Sequence, residues 1–325
     1  MTGAAPAAPR VPPMERIVGD CDGRPLPRWR GGVATLGVFD GVHLGHRAIL
    51  DRTLAWARTE RRPALVITFS NHPDQVVRGA APPPLQSLEQ RLAELERVGI
   101  DATLVLPFDA RLRDLAAETF AERVLAGTLG LRGLVLGHDT AVGKDRRGDA
   151  RLLDQLGERL GFAVESVGEI SIDGEVVSST RIRAALQAGD LATASRLLGR
   201  APSLLGRVVA GDGRGRAIGL PTANLDIGAA CPPANGVYAV LALVRGERRK
   251  GLCNIGVRPT FAAGRSLALE VHLLDWSGDL YGADLEVVFL SRLRDERKFA
   301  GPAELLAQIA LDRKAAEAML ARIAP

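Results

Sequence analysis

Cysteine is scarce in this chain. Cys21, Cys231 and Cys253 are the only three in 325 residues, and no two form a CxxC pair. That spacing excludes a disulfide framework and a cysteine-held zinc site, and a reducing cytoplasm is the expected setting. Aromatic residues make up 4%, too few for the extended base-stacking platforms of single-strand-binding proteins. Long apolar runs are lacking as well, so no membrane span is expected. The opening MTGAAPAAPRVPP has no apolar stretch of signal-peptide type and reads as disordered. Neither charge sign dominates, since 42 Lys+Arg face 38 Asp+Glu for a formal net charge of +4. With no helix-turn-helix or zinc motif, no nucleic-acid partner is expected. The arginines near glycines suit small anions such as nucleotides.

What is present is the balance of a globular protein, 46% apolar and 25% charged, in a chain long enough for two domains. From residue 33 to 167, short apolar runs alternate with amphipathic stretches. VATLGVF (33–39), ALVITF (64–69), ATLVLPF (102–108), GLVLG (133–137) and FAVESV (162–167) are candidate strands, with helical runs such as SLEQRLAELERVG between them. This alternation predicts a Rossmann-like parallel sheet covered on both faces, with a nucleotide at the carboxyl ends of its strands. STRIRAALQAGDLATASRLLGR (179–200) predicts two short helices split at Gly189-Asp190. After Pro202 come short β-rich runs separated by Gly, Pro, Asn and Asp. They predict an antiparallel barrel followed by the amphipathic helix PAELLAQIALDRKAAEAMLARI. The expected organisation is a disordered or extended segment over 1–30, an α/β domain over 31–186, a linker helix region over 187–202 and a barrel domain over 203–325.

The sharpest signal is GVFDGVHLGH (37–46), set between a strand and a helix. A glycine-rich turn there lets backbone N–H groups and the helix N-terminus approach phosphate. The stretch is neither GxGxxG nor a Walker loop. One histidine near a helix start is usually a cap or a packing residue. Two, His43 and His46, flanked by glycines, can instead donate to a triphosphate and stabilise charge in an in-line displacement. Gly45 between them leaves room for a nucleotide against bare backbone. A second segment, SSTRIRAAL (178–186), opens a helix with hydroxyls and arginines. On its own it reads as an N-cap at Ser179 or Thr180 with solvated arginines. Beside HxGH it is the expected complement for a leaving pyrophosphate.

The strand–HxGH–helix element with a distal SSTxIR segment resembles the nucleotidylyltransferase superfamily. With TFSNHP (68–73), the first half resembles bacterial bifunctional riboflavin kinase/FAD synthases. The resemblance implies ATP contacts from Gly37, Phe39, Asp40, His43, Gly45 and His46, phosphate contacts from Ser179, Thr180 and Arg181, and a flavin side at His72 and Asp139. It implies AMP transfer from ATP to FMN, with His43 and His46 catalytic. In the second half, GRAIGLPTANLDI (215–227), GVYAV (236–240), NIGVRPTF (254–261), LEVHLLDWSGDLYG (269–282) and LRDERKF (293–299) resemble riboflavin kinases in order and spacing. Thr222 and Asn224 offer oxygen ligands on one face of an extended segment, and Mg²⁺ takes hard oxygen ligands beside nucleotide phosphates. An isolated PTAN is equally an ordinary turn. The resemblance assigns Thr222, Asn224 and Gly215 to Mg²⁺–ATP, and Glu270 to the general base for the riboflavin 5′-hydroxyl. The fold it implies is a Greek-key barrel with a C-terminal helix.

Four positions depart from the family pattern. GHDTAVGKDRRGD (137–149) carries Thr140 and Val142 where aromatics are usual, TFSNHP has Asn71 for proline, and Ala210 stands where histidine is frequent. Losing stacking aromatics is expected to weaken FMN binding or change the acceptor. The leading expectation is an enzyme that makes FMN and then FAD from riboflavin and ATP, as a monomer or weak homo-oligomer. Alternatives are a specialised paralogue with an altered first-domain acceptor and a non-catalytic flavin- or nucleotide-binding regulator.

Overall fold

The computed structural model describes residues 13–211, 220–244, 246–259 and 265–321. The chain divides into two compact units. One takes the residues up to Pro82 and Leu88–Val176; the other takes Pro83–Ser87 and Val177 onward.

The first unit is built on six strands: β1 (Glu15–Val18), β2 (Val33–Leu36), β3 (Ala64–Phe69), β4 (Ala102–Leu106), β5 (Gly133–Gly137) and β6 (Ala163–Val167). They lie in the order β1-β4-β3-β2-β5-β6, and every pairing is parallel. The pleat divides each central strand between two cores. Ala34, Leu36, Leu65, Ile67, Leu104 and Leu134 face one, while Val33, Val66, Val105 and Val135 face the other. A sheet buried on both faces needs this continuous apolar run. Helices α1 (Leu44–Glu60), α2 (Pro73–Val77), α3 (Leu88–Val98), α4 (Ala110–Arg113), α5 (Ala117–Phe120) and α6 (Ala150–Leu160) connect the strands, and α5 runs on as a π-helical segment, Ala121–Thr128. Strand order reverses between β2 and β5. The carboxyl ends of two strands at such a reversal are where open α/β sheets take ligands.

Within the segment expected to be disordered or extended, Glu15–Val18 is an edge strand paired with Ala102–Val105. Its alternating half-buried and exposed residues leave only a weak apolar signal. A small hairpin, β7 (Ser171–Ile172) and β8 (Glu175–Val176), ends the unit.

The second unit opens with α7 (Ser179–Gln187) and α8 (Leu191–Leu198), separated by Gly189, whose φ of 76° favours glycine. Then come β9 (Ser203–Val209), β10 (Ala223–Asp226), β11 (Gly236–Val244), β12 (Glu247–Pro259), β13 (Arg265–Leu273) and β14 (Asp284–Arg294). They close a barrel in the order β10-β13-β12-β11-β14-β9, antiparallel at every pairing. Tyr238 and Phe289 meet edge to face in its core, ring centroids 5.5 Å apart. The C-terminal helix Pro302–Leu320 packs Ala316 and Leu320 against Ala239, Leu252 and Leu274. An ion pair between Arg294 and the buried Asp312, 2.9 Å at its shortest, ties that helix to β14.

Candidate active sites

β2 ends at Leu36, and residues 37–43 form a tight loop before α1. Phe39 and Val42 hold φ of 54° and 40° there, the left-handed region that side chains rarely adopt. Such strain persists only where packing over-determines it, and both residues are buried to within 2%. A Cβ on Gly37 would meet the Phe39 ring at 3.2 Å, which is why glycine precedes the turn.

His43 is the N-cap of α1, its Nδ1 accepting from the His46 N–H at 3.3 Å. An accepting Nδ1 places the ring proton on Nε2. The cap reading and the ligand reading therefore coexist, since capping fixes the tautomer that presents an Nε2–H donor. The two imidazoles stack, centroids 3.6 Å apart and planes inclined by 15°. Phe39 meets His46 edge-on at 5.2 Å. His46 is held well below the ordinary imidazole range, first by desolvation and then by His43 and Arg91. A neutral His46 ring stacked on His43 follows. Gly45 lies in the first helical turn between them, and Asp40 is buried within the loop.

His72 repeats the device. It caps α2, with Nδ1 accepting from the Asp74 N–H at 3.1 Å. Beyond β5, Thr140 closes a turn, its Oγ1 accepting from the Gly137 N–H at 3.1 Å, and the exposed Asp139 offers its carbonyl to Arg146. Ser178, not Ser179 or Thr180, caps α7, its hydroxyl accepting from the Arg181 N–H at 3.2 Å. Both expected hydroxyls instead sit in the first turn. Arg183 is buried and donates Nε–H to the Pro83 carbonyl at 2.7 Å, a structural tie. Helix α7 belongs to the second compact unit, so Ser179, Thr180 and Arg181 are not in the unit that carries His43 and His46.

On the barrel, register does the positioning. Asn224 of β10 lies directly opposite Glu270 of β13, and Glu270 lies opposite Asn254 of β12. Directly opposed residues share a face. Their neighbours Leu225, Leu269, Val271, Cys253 and Ile255 are buried inside the barrel, so the polar row Asn224–Glu270–Asn254 runs along its outer surface. A Cβ at Gly211 would fall 2.0 Å from the Asn224 amide, so a larger residue there would displace that side chain. Thr222 precedes β10 and lines a cleft with Pro221, Asp279, Trp276 and Tyr281. Gly215 lies outside the described residues. Among the described residues no cluster of three or more His, Cys, Asp or Glu forms a metal cage. Cys253 is deeply buried and its thiol is pushed up by desolvation.

Sequence reasoning passed over three features of these sites. Arg91 is buried beneath the histidine loop; its helix pattern marks it only as one more arginine. Asn254 enters solely through register. Trp276 and Tyr281 had a signal, because a chain with three Trp and two Tyr places one of each in the single loop DWSGDLYG.

A family model described as FAD synthetase matches residues 26–181, and one described as riboflavin kinase matches residues 198–320. A bifunctional riboflavin kinase/FMN adenylyltransferase of Pseudomonas fluorescens is 42% identical over 295 residues, covering 91% of this chain and 95% of the relative. The chain belongs to the bifunctional riboflavin kinase/FMN adenylyltransferase family. A Bacillus subtilis (strain 168) member is 37% identical over 290 residues, covering 87% of this chain and 91% of its own. A crystal structure titled as a macrolide-efflux protein from Streptococcus pneumoniae superposes with TM-score 0.83 at 29% identity, covering 93% of this chain and 99% of that one. Among the described residues no helix is long and apolar enough to cross a membrane.

Two departures from the family pattern now have structural partners. Asn71 forms a pair of hydrogen bonds with the backbone of Phe108, donating to its carbonyl and accepting from its N–H, each at 2.9 Å. A proline offers neither group. Val142 is packed in the hydrophobic core and exchanges both backbone hydrogen bonds with Gly148, so in this family member that position serves packing.

Proposed function

We propose that this enzyme phosphorylates riboflavin to FMN on the barrel unit and adenylylates FMN to FAD on the α/β unit. In the first reaction Glu270 takes the proton of the 5′-hydroxyl. The oxygen attacks the γ-phosphorus of ATP, and the bond to the β-phosphate breaks to release ADP. In the second, an FMN phosphate oxygen attacks the α-phosphorus of a second ATP, and pyrophosphate leaves. His43 and His46 donate to the phosphate oxygens on which charge builds, and the SSTRIR motif assigns Ser179, Thr180 and Arg181 to phosphate by resemblance alone. Gly37, Phe39, Asp40 and Gly45 shape the nucleotide's bed, with His72 and Asp139 toward the acceptor.

The observation that carries the kinase assignment is the register that sets Glu270 between Asn224 and Asn254. A general base needs hydrogen-bond reach to its proton, and an outward-facing carboxylate flanked by amides meets that need. The hydroxyl of Thr222 and the amide oxygen of Asn224 suit Mg²⁺, a hard cation that keeps water and phosphate ligands. The ion would neutralise charge on the transferring phosphoryl group.

Incubation with riboflavin, ATP and Mg²⁺, followed by separation of products, tests the reading. FMN followed by FAD is expected. FMN alone would assign a different acceptor to the first unit, and neither product would leave a binding protein.

A further inference from the structure

One side chain fastens both loops of the adenylyltransferase site, and neither loop contains it. Arg91 projects from α3 and is only 7% exposed. Its Nη1–H donates to the Val38 carbonyl at 2.6 Å, and its Nη2–H donates to the Phe69 carbonyl. Val38 immediately precedes Phe39, the strained residue whose ring abuts His46. Phe69 ends β3 and leads into the loop bearing His72. The rigid guanidinium fork suits this two-carbonyl bridge, whereas an ammonium holds as a point charge. Nε of Arg91 is buried without a hydrogen-bond partner. Burial costs the charged guanidinium, and Asp40 and Glu89 are the carboxylates that favour it.

We propose that Arg91 is the positioning residue of the adenylyl-transfer site, locking the Val38–Phe39 and Phe69–His72 backbones so that the stacked histidines and the acceptor loop keep one relative geometry. This rests on the reading of His43 and His46 as the ATP-handling pair. Arg91 touches no reacting atom in this account. It acts through two carbonyls, and its charge acts on His46. The titratable or charged groups felt by His46 are His43 from the start of α1 and Arg91 from α3, with Asp40 facing Arg91.

The test compares Arg91→Lys and Arg91→Met in the full chain, measuring FMN adenylylation, its pH profile and riboflavin phosphorylation in the same preparations. Misplacement of reacting groups by an ångström costs up to about 100-fold. Arg91→Met is expected to lose about that factor in adenylylation kcat, with the KM for ATP changed far less. Its acid limb should move to higher pH, because removing a cation beside His46 makes that ring easier to protonate. Arg91→Lys keeps the charge but not the fork, so its kcat falls while its acid limb stays. Riboflavin phosphorylation should stay at the native rate in both. Should Arg91→Met fail to fold, Arg91→Lys decides alone. Native adenylylation kcat in Arg91→Lys overturns the proposal, as does an equal loss of both activities. If Arg91→Lys loses only adenylylation while His46→Ala leaves adenylylation intact, the positioning role stands and the histidine reading fails.

Discussion

The two proposed sites of this protein place phosphate chemistry in different environments. The α/β site rests on buried groups, Phe39, Asp40, His43 and Arg91, with His46 and His72 half-buried. Its rings are stacked and its backbone is held in a strained turn. The barrel site is a polar row on an outer wall, where Asn224, Asn254 and Glu270 are each half-buried. Preorganised donors in a dry site need no reorganisation as charge develops. A half-exposed row lacks that advantage, so under the proposed function the metal and the nucleotide would supply more of the order. The first site should therefore be sensitive to packing and protonation, and the second to single ligands.

The largest expected effect is on the barrel. Glu270→Gln removes the proposed general base and should lower riboflavin phosphorylation by about 10²–10⁴-fold, read in a riboflavin-to-FMN assay. Asn224→Ala should raise the Mg²⁺ concentration needed for half-maximal phosphorylation by about tenfold or more, with little change in adenylylation. On the other side, Asn71→Ala leaves the Phe108 backbone groups without partners. It should cost about 1–3 kcal/mol, seen as a lower Tm, and an equal Tm would break the contrast.

Protonation gives the smallest effect and a defined sign. His46 is lowered below its ordinary value of 6.5 in the folded protein. The unfolded chain therefore binds the proton first as pH falls below about 6.5, and native stability declines there. The slope is at most about 1.4 kcal/mol per pH unit. Above that range the contribution is fully present. Thermal unfolding at several pH values should show a steeper acid decline in the native protein than in His46→Gln.

Much of this was legible in sequence. Ala64–Phe69 and Gly133–Gly137 are strands over the expected residues, because fully buried parallel strands read as unbroken apolar runs. VATLGVF ends early, at Leu36, because Gly37 and the left-handed Phe39 turn the chain before apolarity runs out. GVFDGVHLGH was readable because its residue types are costly without a purpose. The cap is Ser178, one or two residues before the expected Ser179 or Thr180, since three successive hydroxyl residues offer equivalent candidates. Arg91 and Asn254 were not legible, because their roles depend on tertiary proximity and strand register. Val142, read in sequence only as a departure where aromatics are usual, also fills the core here.

The central claim is that two separate sites carry the two reactions. It is tested most directly by a crossed assay of Glu270→Gln and His46→Ala, each given riboflavin or FMN with ATP and Mg²⁺. The account predicts that Glu270→Gln makes no FMN from riboflavin yet converts FMN to FAD, while His46→Ala accumulates FMN and makes little FAD. Equal damage to both reactions by either variant would contradict it.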